Sequence, residues 1–427
     1  MNILNTIFTI FSDVFNCVVI AMSSYFLIIS LFGLYKKKSG KNIAPQKSFA
    51  LLVAAHNEEA VVSDIVESLK KLDYPKELFD IFVIADNCTD KTAEKARKRG
   101  ALVYERFNKE KRGKGYALEW MFENLFKMDK KYDAVCIFDA DNLVSKNFLN
   151  EMNKKLCDGF KVVQGYLDSK NPKDTWITGA YSITFWTNNR MFQLARENMG
   201  LSSQLGGTGF AIDTSILKTL GWGATCLTED LEFSCKLVMS GEKVGWAHDA
   251  IVYDEKPLTL MQSWNQRQRW MQGYADVASR YFGKLMKKAI KERSFIAFDC
   301  AYYTIQPVAF IIIGISMIIG AVKYVDMFYS YLTGSQNILN NILNQHFGLI
   351  TTFAVIYGIF NILYVPALLI IDRKLDFKIF LYYILIPIYA ISWLPISIIG
   401  ILHKDNKEWS HTSHTRSMDI SDLDKAN

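Results

Sequence analysis

Four apolar runs, residues 14–35, 296–322, 347–371 and 377–402, contain almost no charged side chains and enclose one long polar block between the first and the second. Each run is long enough to span a bilayer as a helix, which takes ~20 residues at 1.5 Å rise. The chain therefore divides into membrane-embedded and water-exposed parts. Its overall 22% charged residues conceal that division, and 50% hydrophobic residues exclude a disordered protein.

The charges around the runs orient them. Residues 1–13 hold no Lys or Arg, whereas Lys36, Lys37, Lys38 and Lys41 follow the first run. That order is the reverse of a cleavable signal peptide, and it places the polar block in the cytoplasm. Lys284, Lys287, Lys288, Lys291 and Arg293 give the far end of the block the same signature. The loop 324–346 lacks Lys and Arg and reads as external, while Arg373, Lys374 and Lys378 read as internal. A plasma-membrane, multi-pass protein is expected. Its net charge of +6 sits in these clusters, so it points to a lipid bilayer with an anionic leaflet and away from nucleic acid. The last run leaves two arrangements open: a full crossing with an external tail, or a bent or re-entrant hairpin broken at Pro387 and Pro395 whose tail returns inside. Seven cysteines without a CxxC pair fit reduced thiols.

Within the block, short apolar segments alternate with amphipathic ones. Residues 48–55, 80–85, 102–105 and 134–138 read as buried strands, and 60–71, 90–99 and 115–126 as helices between them. A sheet covered on both faces by helices follows, and its ligand belongs beyond the carboxyl ends of the strands. Those ends carry His56, Asn57 and Glu58, then Asp86, then Asp139 and Asp141. No GxGxxG follows the first strand, which argues against a dinucleotide. The expected layout is an anchor and basic linker (1–47), a catalytic domain (48–255), interfacial amphipathic helices (256–295), a C-terminal membrane region (296–403) and a tail (404–427).

Several constellations carry chemistry. Asp139 and Asp141 are two residues apart, so both can approach one hard divalent ion. Lys114 begins a helix, where a cation and free amides meet an anion. Thr228, Glu229 and Asp230 enter another helix, and a capping box is the structural alternative there. Gln266, Arg269 and Trp270 share one helix face. A guanidinium and an indole there suit a phosphate and a sugar ring.

The ordered set ADNCTD, FDAD, LTED and QRQRW, flanked by membrane helices, resembles the processive family 2 glycosyltransferases: cellulose, hyaluronan, chitin and poly-N-acetylglucosamine synthases. The resemblance covers about residues 48–285 and the membrane arrangement. It implies an α/β GT-A fold, a Rossmann-like mixed sheet set between transmembrane and interfacial helices. It further implies a UDP-sugar donor with Mg2+ or Mn2+, inversion at the anomeric carbon and extrusion of a growing polysaccharide chain.

Carried over position by position, His56, Glu58 and Asp86 bind uridine, and Lys114 lies near the nucleotide. Asp139 and Asp141 handle diphosphate and metal. Asp230 is the general base, with Thr228 and Glu229 in the same catalytic motif. Gln266 and Arg269 hold the diphosphate, and Trp270 floors the acceptor site. TED with QRQRW looks closest to glucan synthases, so a cellulose-like or mixed-linkage β-glucan from UDP-glucose is the first expectation. An amino-sugar polymer or a single transfer to a lipid acceptor is the alternative. The glycine-rich segment 204–212 lies where an acceptor would pass, with a phosphate cradle as its rival reading. Trp409, His411, Thr412, His414 and Arg416 faintly resemble the tail motif by which hyaluronan synthases close the active site, with a histidine metal site as a weaker alternative.

Overall fold

The computed structural model of the protein describes residues 3–37, 43–223, 226–334, 352, 356, 358–360, 362–406 and 416–424. Helix α1 (Ile3–Leu31) leads into the polar block. There β1 (Phe49–Ala55), α2 (Val62–Lys70), β2 (Phe79–Asp86), α3 (Thr92–Lys98), β3 (Leu102–Arg106), α4 (Lys114–Lys127) and β4 (Ala134–Asp139) alternate as the hydrophobic pattern predicts. The strands are apolar on both sides because both faces are covered. Phe49, Leu51 and Val53 enter one core cluster, whereas Ala50 and Leu52 enter another on the opposite face.

Beyond β4 come β5 (Leu143–Val144), α5 (Phe148–Cys157), β6 (Val162–Ser169), α6 (Trp176–Asn188), a π-helical turn (Asn189–Leu194) and α7 (Ala195–Met199). Then follow β7 (Phe210–Asp213), α8 (Thr214–Leu220), α9 (Glu229–Met239) and β8 (Val244–Asp254). The eight strands form one sheet in the order β3-β2-β1-β4-β7-β6-β8-β5. Pairings β3-β2-β1-β4 and β6-β8 are parallel, and those to β7 and of β5 to β8 are antiparallel, so the sheet is mixed. Its register aligns Ala54 with Asp139 and Asp86 with Arg106. The carboxylate-bearing ends of β1, β2 and β4 therefore finish along one edge.

Helix α10 (Leu260–Lys291) is opened by a reciprocal capping box between Thr259 and Gln262. Helices α11 (Phe295–Thr304) and α12 (Gln306–Thr333) follow. The run 296–322, expected as one crossing, is thus broken. Pro307 in the first turn of α12 cannot donate to a continuing ladder. Asp299 holds α11 to the domain through Arg196. Two helices among the described residues are long and apolar enough to cross a membrane, Ile10–Leu31 and Gln306–Thr333. Of the run 347–371, mainly the shorter helix α13 (Gly358–Ile371) is described.

The last run forms α14 (Phe377–Ile384), α15 (Ile386–Ile391) and α16 (Trp393–Leu402), with Pro387 in the first turn of α15, and bends by 46° after α14. Both of its ends meet the polar domain or the helix that closes it. Asp376 pairs with Lys173 at 2.5 Å, and Gly400 packs so closely on Met271 that a Cβ would overlap it. Beyond it, Arg416 pairs with Asp174. The short helix α17 (Ile420–Asp424) then buries Ile420 and Leu423 against Leu143 and Tyr253. The run is therefore bent, and the described part of the tail packs on the polar domain; the bend is that of a broken span or a re-entrant loop. Trp409, His411, Thr412 and His414 lie outside the described residues.

Candidate active site

A cavity of about 680 Å³ opens beyond the ends of β1, β2 and β4 and runs toward α12, α15 and α16. His56, Glu58, Asp86, Lys114, Asp139, Asp141, Thr228, Glu229, Asp230, Gln266, Arg269 and Trp270 all line it. The register of the strands brings together the residues at the ends of β1, β2 and β4, the start of α4 adds Lys114, and α9 with the turn before it and α10 supply the others.

At one end, His56 Nδ1 donates to the Asp86 carbonyl at 2.6 Å, and Glu58 is buried beside it. The Asp86 carboxylate is gripped by Arg106, Nη1 to Oδ1 at 2.5 Å. In the centre, the Asp139 backbone N–H is held by Asn142 Oδ1 and Thr208 Oγ1, each at 3.0 Å. Asp141 Oδ2 accepts from the Glu255 N–H at 2.8 Å. The Lys114 ammonium bonds the Asp139 carboxylate and the Gly207 carbonyl, the latter at 2.6 Å. Burial alone would lower its pKa, but Asp139, Glu229 and Asp230 around it outweigh that and raise it.

The glycine segment offers Lys114 a carbonyl. Two of its amides are engaged elsewhere, Gly206 to Gln164 at 2.9 Å and Gly209 to Ile137 at 2.8 Å.

Thr228 precedes α9 but makes no side-chain capping bond, so the capping-box alternative is not realised. Glu229 and Asp230 occupy the first turn of α9. Burial pushes both carboxyls above the ordinary range; the Asp230 charge adds to the effect on Glu229, and Lys114 opposes it. Two carboxylates and a lysine share a poorly hydrated space, the setting in which a carboxylate gains basicity. This turn is seated by a close approach, because a Cβ on Gly273 of α10 would overlap the Thr228 side chain. Gly273→Ala is expected to cost about 1–3 kcal/mol by overpacking. By displacing the turn it should also lower kcat by about tenfold or more. Thermal unfolding and turnover measured together check this.

On the far side, Gln266 Oε1 accepts from the Tyr181 hydroxyl at 2.5 Å, and Trp270 lies 6.0 Å from Tyr181 and 6.3 Å from Phe185, ring centre to ring centre. Arg269 reaches the same space; burial lowers its pKa against the pull of Glu229. Phe310, Tyr389 and Trp393 continue the aromatic wall onto α12, α15 and α16, and Thr184, Thr187, Asn188 and Gln193 of α6 and the π-helical turn also line the cavity. None of these was singled out in the sequence.

Also missed were Arg106 and Asp254. Asp254 lines the cavity at the end of β8, and burial pushes its carboxyl up to about 6 against the pull of Lys256. It ends an apolar strand as Asp86 and Asp139 do, so the strand-end rule applied to 250–254 would have found it. For Arg106 no comparable signal exists, since only its register opposite Asp86 reveals it.

The sequence pattern described as "Glycosyltransferase like family 2" matches residues 45–273. The chain is similar to a beta-monoglucosyldiacylglycerol synthase of Synechocystis, 29% identical over 253 residues, which cover 54% of this chain and 48% of that protein. It is also similar to a poly-beta-1,6-N-acetyl-D-glucosamine synthase of Staphylococcus aureus, 26% identical over 280 residues, 62% of this chain and 66% of that protein. The chain thus matches about half to two thirds of the length of such relatives. Among solved structures, the mannosyltransferase PcManGT of Pyrobaculum calidifontis, in complex with GDP-Man and Mn2+, superposes with a TM-score of 0.61 at 16% identity, over 93% of this chain and all of that one. At that identity the likeness speaks to the fold, which is GT-A. With its family's pattern covering more than half of its length and its strand-end carboxylates gathered in one crevice, the chain belongs to the glycosyltransferase-like family 2.

Proposed function

We propose that the protein transfers a hexosyl group from a UDP-sugar, with inversion, to the end of a growing β-glycan that it passes into the membrane. UDP-glucose and a cellulose-like or mixed-linkage glucan are the first choice. The observation that carries this reading is the acceptor side of the cavity, where Trp270, Tyr389, Trp393 and Phe310 are joined by the hydroxyls of Thr184 and Thr187 and the amide of Asn188. Flat apolar faces together with short polar groups suit sugar rings, which present C–H faces and a hydroxyl rim; a lipid tail has no use for the polar groups.

In this reading Asp230 accepts the proton of the incoming hydroxyl as its oxygen attacks the anomeric carbon from the side opposite the diphosphate. The bond from that carbon to the UDP oxygen breaks, and Lys114 and Arg269 meet the departing charge. Gln266 orients the diphosphate, and His56, Glu58 and Asp86 receive the uridine. Asp139 and Asp141 supply hard oxygens, the donor chemistry of Mg2+ or Mn2+ sites. Among the described residues no three His, Cys, Asp or Glu side chains are grouped to hold a metal ion. Diphosphate oxygens would therefore complete the coordination, as is usual where one or two carboxylates hold Mg2+. The ion would offset charge on the leaving group.

Because burial raises the Asp230 carboxyl, the acid-side loss of kcat/KM should set in above the ~4 of an ordinary carboxylate. The linked stability has the opposite sign: a carboxyl raised in the folded state favours folding at low pH, and that contribution fades as pH rises through the raised value. Parallel pH profiles of turnover and of unfolding check both signs.

A second reading, a single transfer to a membrane lipid, is favoured by the apolar Ile386 and Ala390 in the same wall and by the name of the Synechocystis relative, a beta-monoglucosyldiacylglycerol synthase. Purified protein in lipid nanodiscs, given each radiolabelled UDP-sugar with Mg2+ or Mn2+, separates them. Polymer degraded by a linkage-specific hydrolase supports the first reading and identifies its sugar. Label recovered only as lipid-linked monosaccharide would sink it.

A further inference from the structure

Arg106 takes no part in the transfer chemistry, yet it is almost wholly buried at the end of β3, in register with Asp86. Its guanidinium spans two acceptors. Nη1 donates to Asp86 Oδ1 at 2.5 Å and Nη2 to the Lys111 carbonyl at 2.7 Å. Asn87, in the left-handed region at φ 51°, adds a bond from Nδ2 to the same Oδ1 at 3.0 Å. Its backbone N–H donates to the Arg106 carbonyl at 2.7 Å, and its Oδ1 receives the Asn108 N–H at 2.8 Å.

Two consequences follow. All side-chain donors to Asp86 converge on one oxygen, so Oδ2 of this cavity-lining carboxylate keeps its acceptor capacity and has no hydrogen bond among the described residues. The loop that brings Arg112 and Gly113 to the cavity and ends at Lys114 is tied to the same guanidinium.

The geometry points to Arg106 as a positioning residue for nucleobase selection: it turns a single fixed carboxylate oxygen of Asp86 toward the base. This rests on the reading of the cavity as a UDP-sugar site. A fixed anionic acceptor rewards a base edge that presents an N–H, as uracil does at N3. Cytosine presents a lone pair at N3, which faces that oxygen unfavourably. Only a planar fork reaches both acceptors at once; a lysine would be a point charge on one of them.

Calorimetric titration of UDP and CDP into the full-length protein in detergent tests this, with KM and kcat for the UDP-sugar alongside. Wild type should prefer UDP. Arg106→Gln should weaken UDP about tenfold, the factor that ~1.4 kcal/mol represents. CDP should change far less, and KM should rise with kcat within about twofold, because no reacting atom is touched. Arg106→Lys should recover part of the preference. Asp86→Asn should lose the preference alone, and adding Arg106→Gln to it should cost under about twofold more, as expected of residues acting as a unit. A UDP preference that survives Arg106→Gln, or full additivity of the two substitutions, overturns the inference. Equal binding of UDP and CDP by wild type overturns the UDP reading instead. Where Arg106→Gln does not fold, Arg106→Lys decides: a preference and KM identical to wild type overturn the inference, and a partial loss of both supports it.

Discussion

Asp230→Asn is expected to lose about 10²–10⁴-fold in kcat, the usual contribution of a positioned general base, while UDP affinity stays within about threefold of wild type. The replacement keeps the side chain's volume and can still accept the Leu231 N–H bond that Asp230 Oδ1 accepts at 2.8 Å, so the first turn of α9 has no reason to move. What it removes is the capacity to take a proton. Donor contacts fall elsewhere in the proposed site, at Asp86, Lys114 and the pair Asp139 and Asp141, which explains why binding should survive. A secondary effect follows from charge. Glu229 is raised by burial and by the Asp230 carboxylate beside it, so its own pKa should drop in the variant. Residual turnover should then lose activity at a lower pH than wild type. Single-turnover transfer and calorimetric UDP titration at several pH values check both points. A fully active variant would remove Asp230 as the base and make Glu229→Gln the next substitution to measure.

The part of this site that was legible in the sequence is the part fixed by short-range pattern. Apolar runs such as 48–55 and 80–85, short and bounded by polar turns, read as strands covered on both faces, and a strand end directs the next polar residue into the crevice. The places of Asp86, Asp139 and Asp141 therefore follow from the sequence pattern. Helical spacing put Gln266, Arg269 and Trp270 on one face, and the family resemblance implied their place in the crevice. What was not legible depends on partners far apart in the chain. The break before α12 involves Pro307, which was readable, together with the hold of Arg196 on Asp299, which was not. Tyr181 meets Gln266 only because α6 and α10 cross, and the aromatic wall requires the last apolar run to bend back so that Tyr389 and Trp393 reach the cavity. Arg267, in the same QRQRW, lies over the rings of Tyr389 at 4.2 Å and Trp393 at 4.9 Å, and its Nη1 donates to Ser392 at 2.8 Å. A motif read as substrate-binding thus also holds the bent segment in place, which no single-residue reading of the motif reveals.

Arg196→Leu should be the most destabilising single change outside the crevice, by about 3–5 kcal/mol, because it strands a buried carboxylate. Arg196 and Asp299 are 0% and 1% exposed and share two bonds, at 2.8 and 3.0 Å. Tyr25 of α1 donates to Asp299 at 2.6 Å as well. One carboxylate therefore joins α1, α7 and α11. Removing only the cation leaves that carboxylate with the tyrosine hydroxyl and little water, whereas removing both charges leaves a void that apolar side chains can fill. The double variant Arg196→Leu with Asp299→Leu should accordingly recover most of the loss, and a thermal unfolding series in detergent measures the difference. Function should respond too. The Arg196 guanidinium lies over the rings of Phe192 at 5.3 Å and Tyr303 at 5.5 Å, and both residues line the cavity. Regained stability without full turnover in the double variant would show that this pair sets the shape of the cavity wall as well as fastening the domain to α1; full turnover would confine its role to fastening.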